Sequence, residues 1–226
     1  RPLLDMAPKR LPRSAEVAKA GVVSAVGEKR MRVALLTGCA QQVLGPQIND
    51  ATVRLLTRLG AEVVMPKDAG CCGALTFHMG ERKRSRKLMQ GNIEVWHNEV
   101  AENGLDAIVL NTSGCGTAIR EYDYIFRHDP KLAVKAKTVT ALVRDVAEVV
   151  AELGLGEASK ASKLKVAYHD ACSLQHGVQV KTQPRQLLKD AGFDVVEVPE
   201  AHICCGSAGT YNMLQPELAS QLQARK

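Results

Sequence analysis

Six of the seven cysteines fall into two matched sets, and they are the residues best suited to chemistry in this chain. Each set begins with a single cysteine, Cys39 or Cys172, which is followed 32 positions later by a Cys-Cys-Gly tripeptide at 71–73 or 204–206. The second set lies 133 positions after the first, and many flanking residues match at the same offset. The pattern predicts an internal duplication that fixes thiols at equivalent places.

The first cysteine set has the ligand count of a metal centre. With the cysteine of a Ser-Gly-Cys-Gly segment at 113–116, it comprises Cys39, Cys71, Cys72 and Cys115. Thiolates suit iron–sulfur clusters, zinc or copper(I), and four of them match a cubane cluster or tetrahedral zinc. Structural zinc sites favour a gap between paired cysteines, whereas adjacent thiolates more easily reach two different metal atoms. The spacing therefore favours a multinuclear cluster, with zinc as the alternative.

The second set supplies three candidate ligands, Cys172, Cys204 and Cys205. Its fourth ligand must come from a further strand of the protein, from an exogenous ligand, or from a nearby histidine. His169 and His202 are the histidine candidates, although a hydrogen-bonded structural role is the commoner one for each.

Two simpler interpretations of the cysteines remain. Free cysteines often act as small buried hydrophobic residues, but packing alone does not require a duplicated spacing. A disulfide between neighbouring cysteines would close a small strained ring and restrain almost no chain. We therefore expect reduced thiols in a cytosolic compartment, held for metal or redox chemistry.

Length and composition set the broad class. The 226-residue chain is 46% hydrophobic and 4% aromatic, which suffices for one large or two modest domains packed with aliphatic side chains. No apolar run approaches the roughly 20 residues that span a bilayer, and no signal peptide is recognisable. The chain lacks an initiator Met and breaks off inside a predicted helix. We therefore expect it to be an internal piece of a longer protein.

The chain is basic, with a net charge of +6 and a pI near 9.0. This balance allows an anionic partner, but without aromatic interleaving or a recognisable module we predict no nucleic-acid partner. The densest basic run lies at 81–87. Such runs are usually solvated helix faces, and the sharper interpretation is a docking patch for an acidic partner subunit or anionic lipid headgroups.

The cysteines follow short apolar runs that predict buried parallel strands. In the first unit, strands are predicted at 32–37, 61–65 and 106–111, and helices at 47–59, 80–103 and 131–153. The helix at 47–59 places Ile48, Ala51, Leu55 and Leu59 on one apolar face. Because the carboxyl ends of parallel strands gather at one edge of a sheet, we expect the cysteine loops to meet there.

These elements predict an α/β fold of two tandem repeats, each a small parallel sheet flanked by helices, with cysteine loops at the strand carboxyl ends. Residues 1–30 contain three helix-breaking prolines and are predicted to be a linker from a missing upstream domain. Repeat 1 is assigned to 31–156 and repeat 2, truncated before its third strand, to 157–226. Repeat 2 is predicted to have strands at 165–169 and 193–198 and a helix at 184–191.

Five segments resemble the iron–sulfur subunits of glycolate oxidase. This cysteine-rich CCG-domain family is related to heterodisulfide reductase and to lactate-utilisation iron–sulfur subunits. The matching segments, in order, are 35–42, 70–75, 111–116, 171–177 and 204–212. The resemblance runs from about residue 33 to the end of the chain, and five blocks in the same order make it specific.

The resemblance implies an electron-transfer subunit with iron–sulfur clusters, of the 4Fe-4S type. It implies an upstream ferredoxin-like domain, and partner subunits that carry FAD and oxidise glycolate to glyoxylate. Electrons would pass to a membrane acceptor, with the subunit in the cytoplasm or peripherally on the inner membrane. By position, the implied metal ligands are Cys39, Cys71, Cys72, Cys115, Cys172, Cys204 and Cys205. No catalytic residue is assigned.

One residue departs from the pattern of heterodisulfide reductase. That family ends each repeat in Cys-x-x-Cys, giving a fifth thiolate, whereas here Ala118 follows Cys115 by three positions. Two alternatives therefore stand beside electron transfer. One is a zinc-binding or cluster-free scaffold that docks the flavin subunits, and the other is a thiol/disulfide reductase subunit.

Overall fold

The computed structural model describes residues 10–156, 164–207 and 211–225, which form an α/β fold. Its strands are β1 Gly21–Val23, β2 Met31–Leu35, β3 Ala61–Met65, β4 Ala107–Leu110, β5 Val143–Asp145, β6 Lys165–Tyr168 and β7 Asp194–Glu197. Its α-helices are α1 Ala40–Leu44, α2 Pro46–Arg58, α3 Ala74–His78, α4 Arg82–Asn103, α5 Ser113–Arg120, α6 Tyr122–Phe126, α7 Ala133–Ala141, α8 Val146–Leu153, α9 Gln183–Asp190, α10 Tyr211–Leu214 and α11 Pro216–Arg225. A π-helix spans Ser173–Val178.

The strands form two sheets, one in each predicted repeat. The first sheet has the order β1-β3-β2-β4-β5, in which β3, β2, β4 and β5 are parallel and β1 is antiparallel to β3. The second sheet, in the described part of repeat 2, pairs β6 with β7 in parallel. The predicted α/β class, with a mostly parallel sheet flanked by helices, is confirmed.

Both faces of the first sheet are covered by helices, as the apolar strand sequences predicted. Along β2, Val33 and Leu35 pack against α2 and α8, whereas Ala34 packs with α4, α6 and α7 on the other face. Side chains of successive strand residues point to opposite faces, so a strand covered on both sides needs a continuous apolar run. The buried sheet thereby becomes a rigid base for the loops at its carboxyl edge.

The predicted helix at 131–153 is wrong in its middle. It consists of α7 and α8 separated by β5, which adds a fourth parallel strand beside β4. Asp145 ends that strand and also caps α8, where its side chain accepts a hydrogen bond from the Ala147 N–H and Glu148 completes a capping box. Helical periodicity on both sides concealed a strand of three residues, which is too short to show its own period.

The apolar face predicted for α2 is also not the face that packs on the sheet. Ile48 and Leu55 are 46% and 38% exposed, whereas the buried positions include Asn49, Thr52 and Val53. The helix is turned so that polar side chains point inward. The hydrogen bonds that stabilise this orientation lie at the candidate site, described below.

Part of the predicted linker packs against the first unit. Residues 21–23 form the edge strand β1, and Asp50 of α2 anchors the segment just before it. One Asp50 oxygen accepts the N–H groups of Val17 and Ala18 at 2.9 and 2.8 Å, and the other accepts the Glu16 N–H at 2.8 Å. Burial alone would raise the pKa of Asp50, but these donors, with nearby Arg54, hold it below its ordinary value of 3.8.

Within residues 10–156, 164–207 and 211–225, no helix combines the length and apolar character needed to cross a bilayer.

Replacing Asp50 with Asn should destabilise the protein by about 1–3 kcal/mol at pH 7, because an amide N–H₂ then faces a backbone donor. Since the native pKa of Asp50 is lowered, its contribution is present above pH 3.8 and is lost as the pH falls through the native pKa. Urea unfolding should therefore show the full difference from wild type at pH 7, and the difference should shrink as the pH is lowered below 3.8. Glu102→Gln, at an exposed helix position, is the control, and an equal loss in both variants would contradict the anchor.

Candidate metal centre

The four thiols of repeat 1 form a string of two close pairs, joined through the neighbouring residues Cys71 and Cys72, at the carboxyl edge of the first sheet. The Sγ atoms of Cys39 and Cys71 are 3.4 Å apart, and those of Cys72 and Cys115 are 3.1 Å apart. Cys71 and Cys72 are neighbours in the chain and link the two pairs, and each thiol influences the pKa of the other. Three separate segments, which follow β2, β3 and β4, therefore bring their cysteines together, as the strand topology predicted.

The local settings of these cysteines differ from the predicted loops. Cys39 immediately precedes α1 and is exposed, and Cys115 lies in the first turn of α5. Cys72 is buried, and Cys71 and Cys115 are half-buried. The site is therefore buried at Cys72, inside the string, and exposed at Cys39, at one end of it.

Contacts among the thiols make them unequal in acidity. Because the Cys115 thiol donates a hydrogen bond to the Cys72 thiolate, the pKa of Cys72 is lowered to about 7, and backbone donors nearby assist. The same hydrogen bond, together with burial, raises the pKa of Cys115. Burial is the main cause that raises the pKa of Cys71 to about 11. Cys72 can thus act as an anionic ligand near neutral pH.

The Cys-Cys-Gly turn is held by a buried side-chain donor at each of its three carbonyl groups. Asn92 Nδ2 donates to the Cys71 carbonyl at 3.0 Å, and Tyr122 Oη donates to the Cys72 carbonyl at 2.7 Å. Ser85 Oγ donates to the carbonyl of the glycine at 2.9 Å. These contacts hydrogen-bond the three carbonyl groups on the side of the turn away from the thiols. The backbone N–H groups of the turn can then donate to the sulfur atoms.

The same backbone conformation occurs in both copies of the tripeptide. Gly73 has a φ of 80° and donates its N–H to Cys71 Sγ at 3.5 Å, and Gly206 has a φ of 84° and donates to Cys204 Sγ at 3.4 Å. Positive φ favours glycine, and a Cβ at Gly206 would lie 2.5 Å from a backbone oxygen of α11. The glycine is therefore required both by backbone conformation and by close packing.

A network of amides and hydroxyls ties the segment carrying Cys39 to the segment carrying Cys115. Gln41 donates to Asn49 and Asn111 at 2.6 and 2.8 Å, and Asn111 donates to Asn49 and Thr52 at 3.0 and 2.9 Å. Asn49 also donates to the Thr37 carbonyl before Cys39. This network explains the inward polar face of α2, since it pairs buried polar groups and fixes the two loops relative to each other.

Sequence reasoning missed these supporting residues. The signal available was the polar triplet at 111–113, which directly follows an apolar strand, and the polar residues of α2 at helical spacing. Neither pattern indicates which residues these polar side chains bond to, because their hydrogen-bond partners lie at distant positions in the chain. The tyrosine and asparagine that hold the tripeptide had no recognisable signal at all.

Repeat 2 is placed against the helix that carries Cys115. Cys172 precedes the π-helix, which packs on α5, and the hydroxyls of Ser113 and Ser173 are 2.6 Å apart. Arg120 on α5 also donates to the Val178 carbonyl at 2.6 Å. The loop after β6 therefore lies beside the first thiol site.

The structure does not assemble all the predicted ligands. In the described part of repeat 2, neither Cys204 nor Cys205 makes the sulfur–sulfur contacts seen in repeat 1, and His169 and His202 are exposed without a cysteine contact. Across the described ranges, no three His, Cys, Asp or Glu side chains surround a common point suited to one metal ion. Instead, the thiols of repeat 1 are arranged as a string.

Replacing Cys115 with Ala should raise the pKa of Cys72 above 7, because the thiolate loses its main hydrogen-bond donor. Cys115→Ser retains a donor and should keep that pKa low. The measurement is thiolate absorbance against pH in reduced, metal-free protein, with Cys72→Ser as the reference that isolates this thiol. An unchanged midpoint in the alanine variant would contradict the assigned contact.

Tyr122→Phe should cost about 1–3 kcal/mol in the free energy of unfolding, because the buried Cys72 carbonyl loses its donor. Tyr124→Phe is a matched control in the same helix, since that side chain is 64% exposed. Urea denaturation of metal-free protein provides the comparison. Equal stability of the two variants would show that the tyrosine does not hold the turn.

Comparison with known proteins supports the resemblance seen in the sequence. The chain is 38% identical over 212 residues to the glycolate oxidase iron-sulfur subunit of Escherichia coli, covering 94% of this chain and 52% of the relative. It is 33% identical over 200 residues to the "probable glycolate oxidase iron-sulfur subunit" of Bacillus subtilis, covering 87% and 44%. The chain thus spans about half the length of these relatives.

A shorter relative is covered more completely. Lactate utilization protein A of Bacillus subtilis is 29% identical over 198 residues, which make up 87% of this chain and 81% of that protein. The family model described as a cysteine-rich domain, CCG, matches residues 33–120 and 166–226. Because these two segments make up more than half of the chain and contain all seven cysteines, the chain belongs to the cysteine-rich domain family.

Proposed function

We propose that this chain is the cysteine-rich part of an electron-transfer iron–sulfur subunit in a flavin-linked glycolate, or related 2-hydroxy-acid, oxidase complex. The observation that carries the proposal is the string of four thiols at the carboxyl edge of the first sheet. The relatives named as glycolate oxidase iron-sulfur subunits and the cysteine-rich domain match support the same function.

The donor set of repeat 1 fits an iron–sulfur cluster. Cys39, Cys71, Cys72 and Cys115 would hold it, and the linear order of their contacts suits ligands to several metal atoms better than ligands to one zinc ion. The lowered pKa of Cys72 provides a thiolate at neutral pH, and the Gly73 N–H stabilises sulfur charge. When bound, a cluster of the 4Fe-4S type supplies one-electron oxidation and reduction.

Repeat 2 is proposed as a second site. Cys172, Cys204 and Cys205 are its ligands, and the hydrogen bond from Gly206 to Cys204 matches the one in repeat 1. The fourth ligand is proposed to come from the rest of the protein, because the two histidines near these cysteines are exposed and have no cysteine contact in the described ranges.

The remaining parts of the reaction are assigned to partners. Flavin-containing subunits are proposed to oxidise the hydroxy acid, with FAD bound only by them. This subunit would accept their electrons and pass them to a membrane acceptor from the cytoplasm or the cytoplasmic face of the inner membrane. The chain itself is assigned no catalytic residue, and its proposed task is to hold clusters.

Anaerobic purification should yield iron and acid-labile sulfide, broad visible absorption, and an EPR signal on reduction. Cys72→Ser should remove most of the repeat 1 signal, because it changes a buried thiolate at the centre of the string. Arg58→Glu, at an exposed position just before the amino end of β3 and so at the opposite edge of the sheet, should not. Stoichiometric zinc without iron or sulfide would reject the proposal, and unchanged electron transfer in an intact Cys72→Ser complex would favour the scaffold.

A further inference from the structure

The basic run predicted from the sequence lies against the cysteine turn. It occupies the first turns of α4, and Ser85, in its middle, is fully buried and donates to the Gly73 carbonyl at 2.9 Å. A Cβ on this glycine would also lie 3.1 Å from the Ser85 carbonyl oxygen. The positive charges on either side of this serine are therefore fixed beside the thiol site.

Most of these charges have no acidic partner in the described ranges. Arg82, Lys83 and Lys87 are exposed and form no ion pair there. Arg84 approaches Glu81 at 3.5 Å, with its side chain 71% exposed, and such a pair contributes little to stability. We call Arg82, Lys83, Arg84 and Lys87 the basic surface.

The remaining cation of the run has a structural role, which sets it apart. Arg86 lies 4.4 Å over the Phe126 ring, donates to the Ile125 carbonyl at 3.2 Å and approaches Asp129 at 3.4 Å. One of five cations is thus used to attach α4 to its neighbours. The other four are left for solvent or a partner.

An open groove of about 460 Å³ runs from the basic surface to the cysteine loop. Arg84 and Lys87 line one side, Gly70 lies directly before Cys71 on the other, and Gly91 leaves space between them. Two cations facing a groove with a single carboxylate in its lining attract anionic side chains. Its shape and charge fit the aspartates and glutamates of a protein surface.

Exposed apolar side chains adjoin the basic surface. Leu75, Phe77 and Met79 are 57%, 40% and 61% exposed, and they belong to the short segment between the tripeptide and α4. A solvated helix face does not need such neighbours, whereas protein interfaces combine apolar contacts with a charged rim. The apolar and basic groups lie on either side of the same turn.

We propose that this combined surface is the docking site for the acidic face of the protein that exchanges electrons with the thiol site. The inference rests on the proposed electron-transfer function. A redox partner must approach the open end of the string, where Cys39 is exposed and Cys71 is half-buried. The groove beside the basic surface reaches Gly70, directly before Cys71. A groove that accepts side chains, next to these thiols, favours a protein over a lipid surface as the occupant.

The test uses the iron-loaded complex of the full-length protein, purified anaerobically. Lys83→Glu with Lys87→Glu should weaken partner association about tenfold or more at low salt and flatten its salt dependence. Arg58→Glu with Lys189→Glu makes the same charge change on exposed residues of α2 and α9, which pack on the opposite face of the sheet, and it should alter association less than about twofold. Zero-length carbodiimide cross-linking of wild type should join Lys83 or Lys87 to partner carboxylates.

Three results would overturn the docking site. The first is an equal loss of partner association in the two double variants. The second is that cross-links from Lys83 and Lys87 form only within this chain. The third is that the protein binds vesicles with about 30% anionic lipid, and that the first double variant abolishes this binding but leaves the complex with the partner protein intact. Iron and sulfide content is measured on every sample. Loss of iron from wild type counts against the proposed function, whereas normal iron with any of the three results counts against the docking site alone.

Discussion

The hydrogen-bonded Cys-Cys-Gly turn is the constraint on which the thiol site depends. Its three carbonyl groups are satisfied by Ser85 and Asn92 of α4 and by Tyr122 of α6, all of which are buried. A buried carbonyl without a donor is costly, so both helices stabilise this conformation of the turn. The helices on one face of the sheet are therefore part of the site, although they contribute no ligand.

The two repeats meet the same backbone requirement with different surroundings. Gly206 packs against Ala219 of α11, at the place where α4 covers the first tripeptide. In repeat 1, neutral amides and hydroxyls link the strand ends. In repeat 2, buried Asp170, just before Cys172, pairs with Arg185 at 2.5 Å. The two tripeptides thus share a backbone conformation, while the side chains that support the neighbouring loops differ.

The inward polar face of α2 shows where sequence patterns stop being informative. Ile48 and Leu55 form an apolar stripe, yet Asn49 and Thr52 face the sheet edge because Asn111 supplies their hydrogen-bond partners. An apolar stripe on a helix predicts which face is buried only when the other faces have no buried hydrogen-bond partners for their polar side chains. The buried face of α2 combines these polar residues with the fully buried Val53 and Leu56. Its polar part depends on Asn111, which lies about 60 residues away in the sequence.

The sequence by itself determined the α/β class, the main strands, the family and the duplicated thiols, because short apolar runs and fixed cysteine spacings are local properties of the chain. It did not reveal β5, or the antiparallel edge strand within the predicted linker. Only the tertiary structure decided that the thiols pair as Cys39 with Cys71 and Cys72 with Cys115, and which side chains hold them. These are contacts between distant segments, set by strand order and helix packing, and no local pattern encodes which partners will meet.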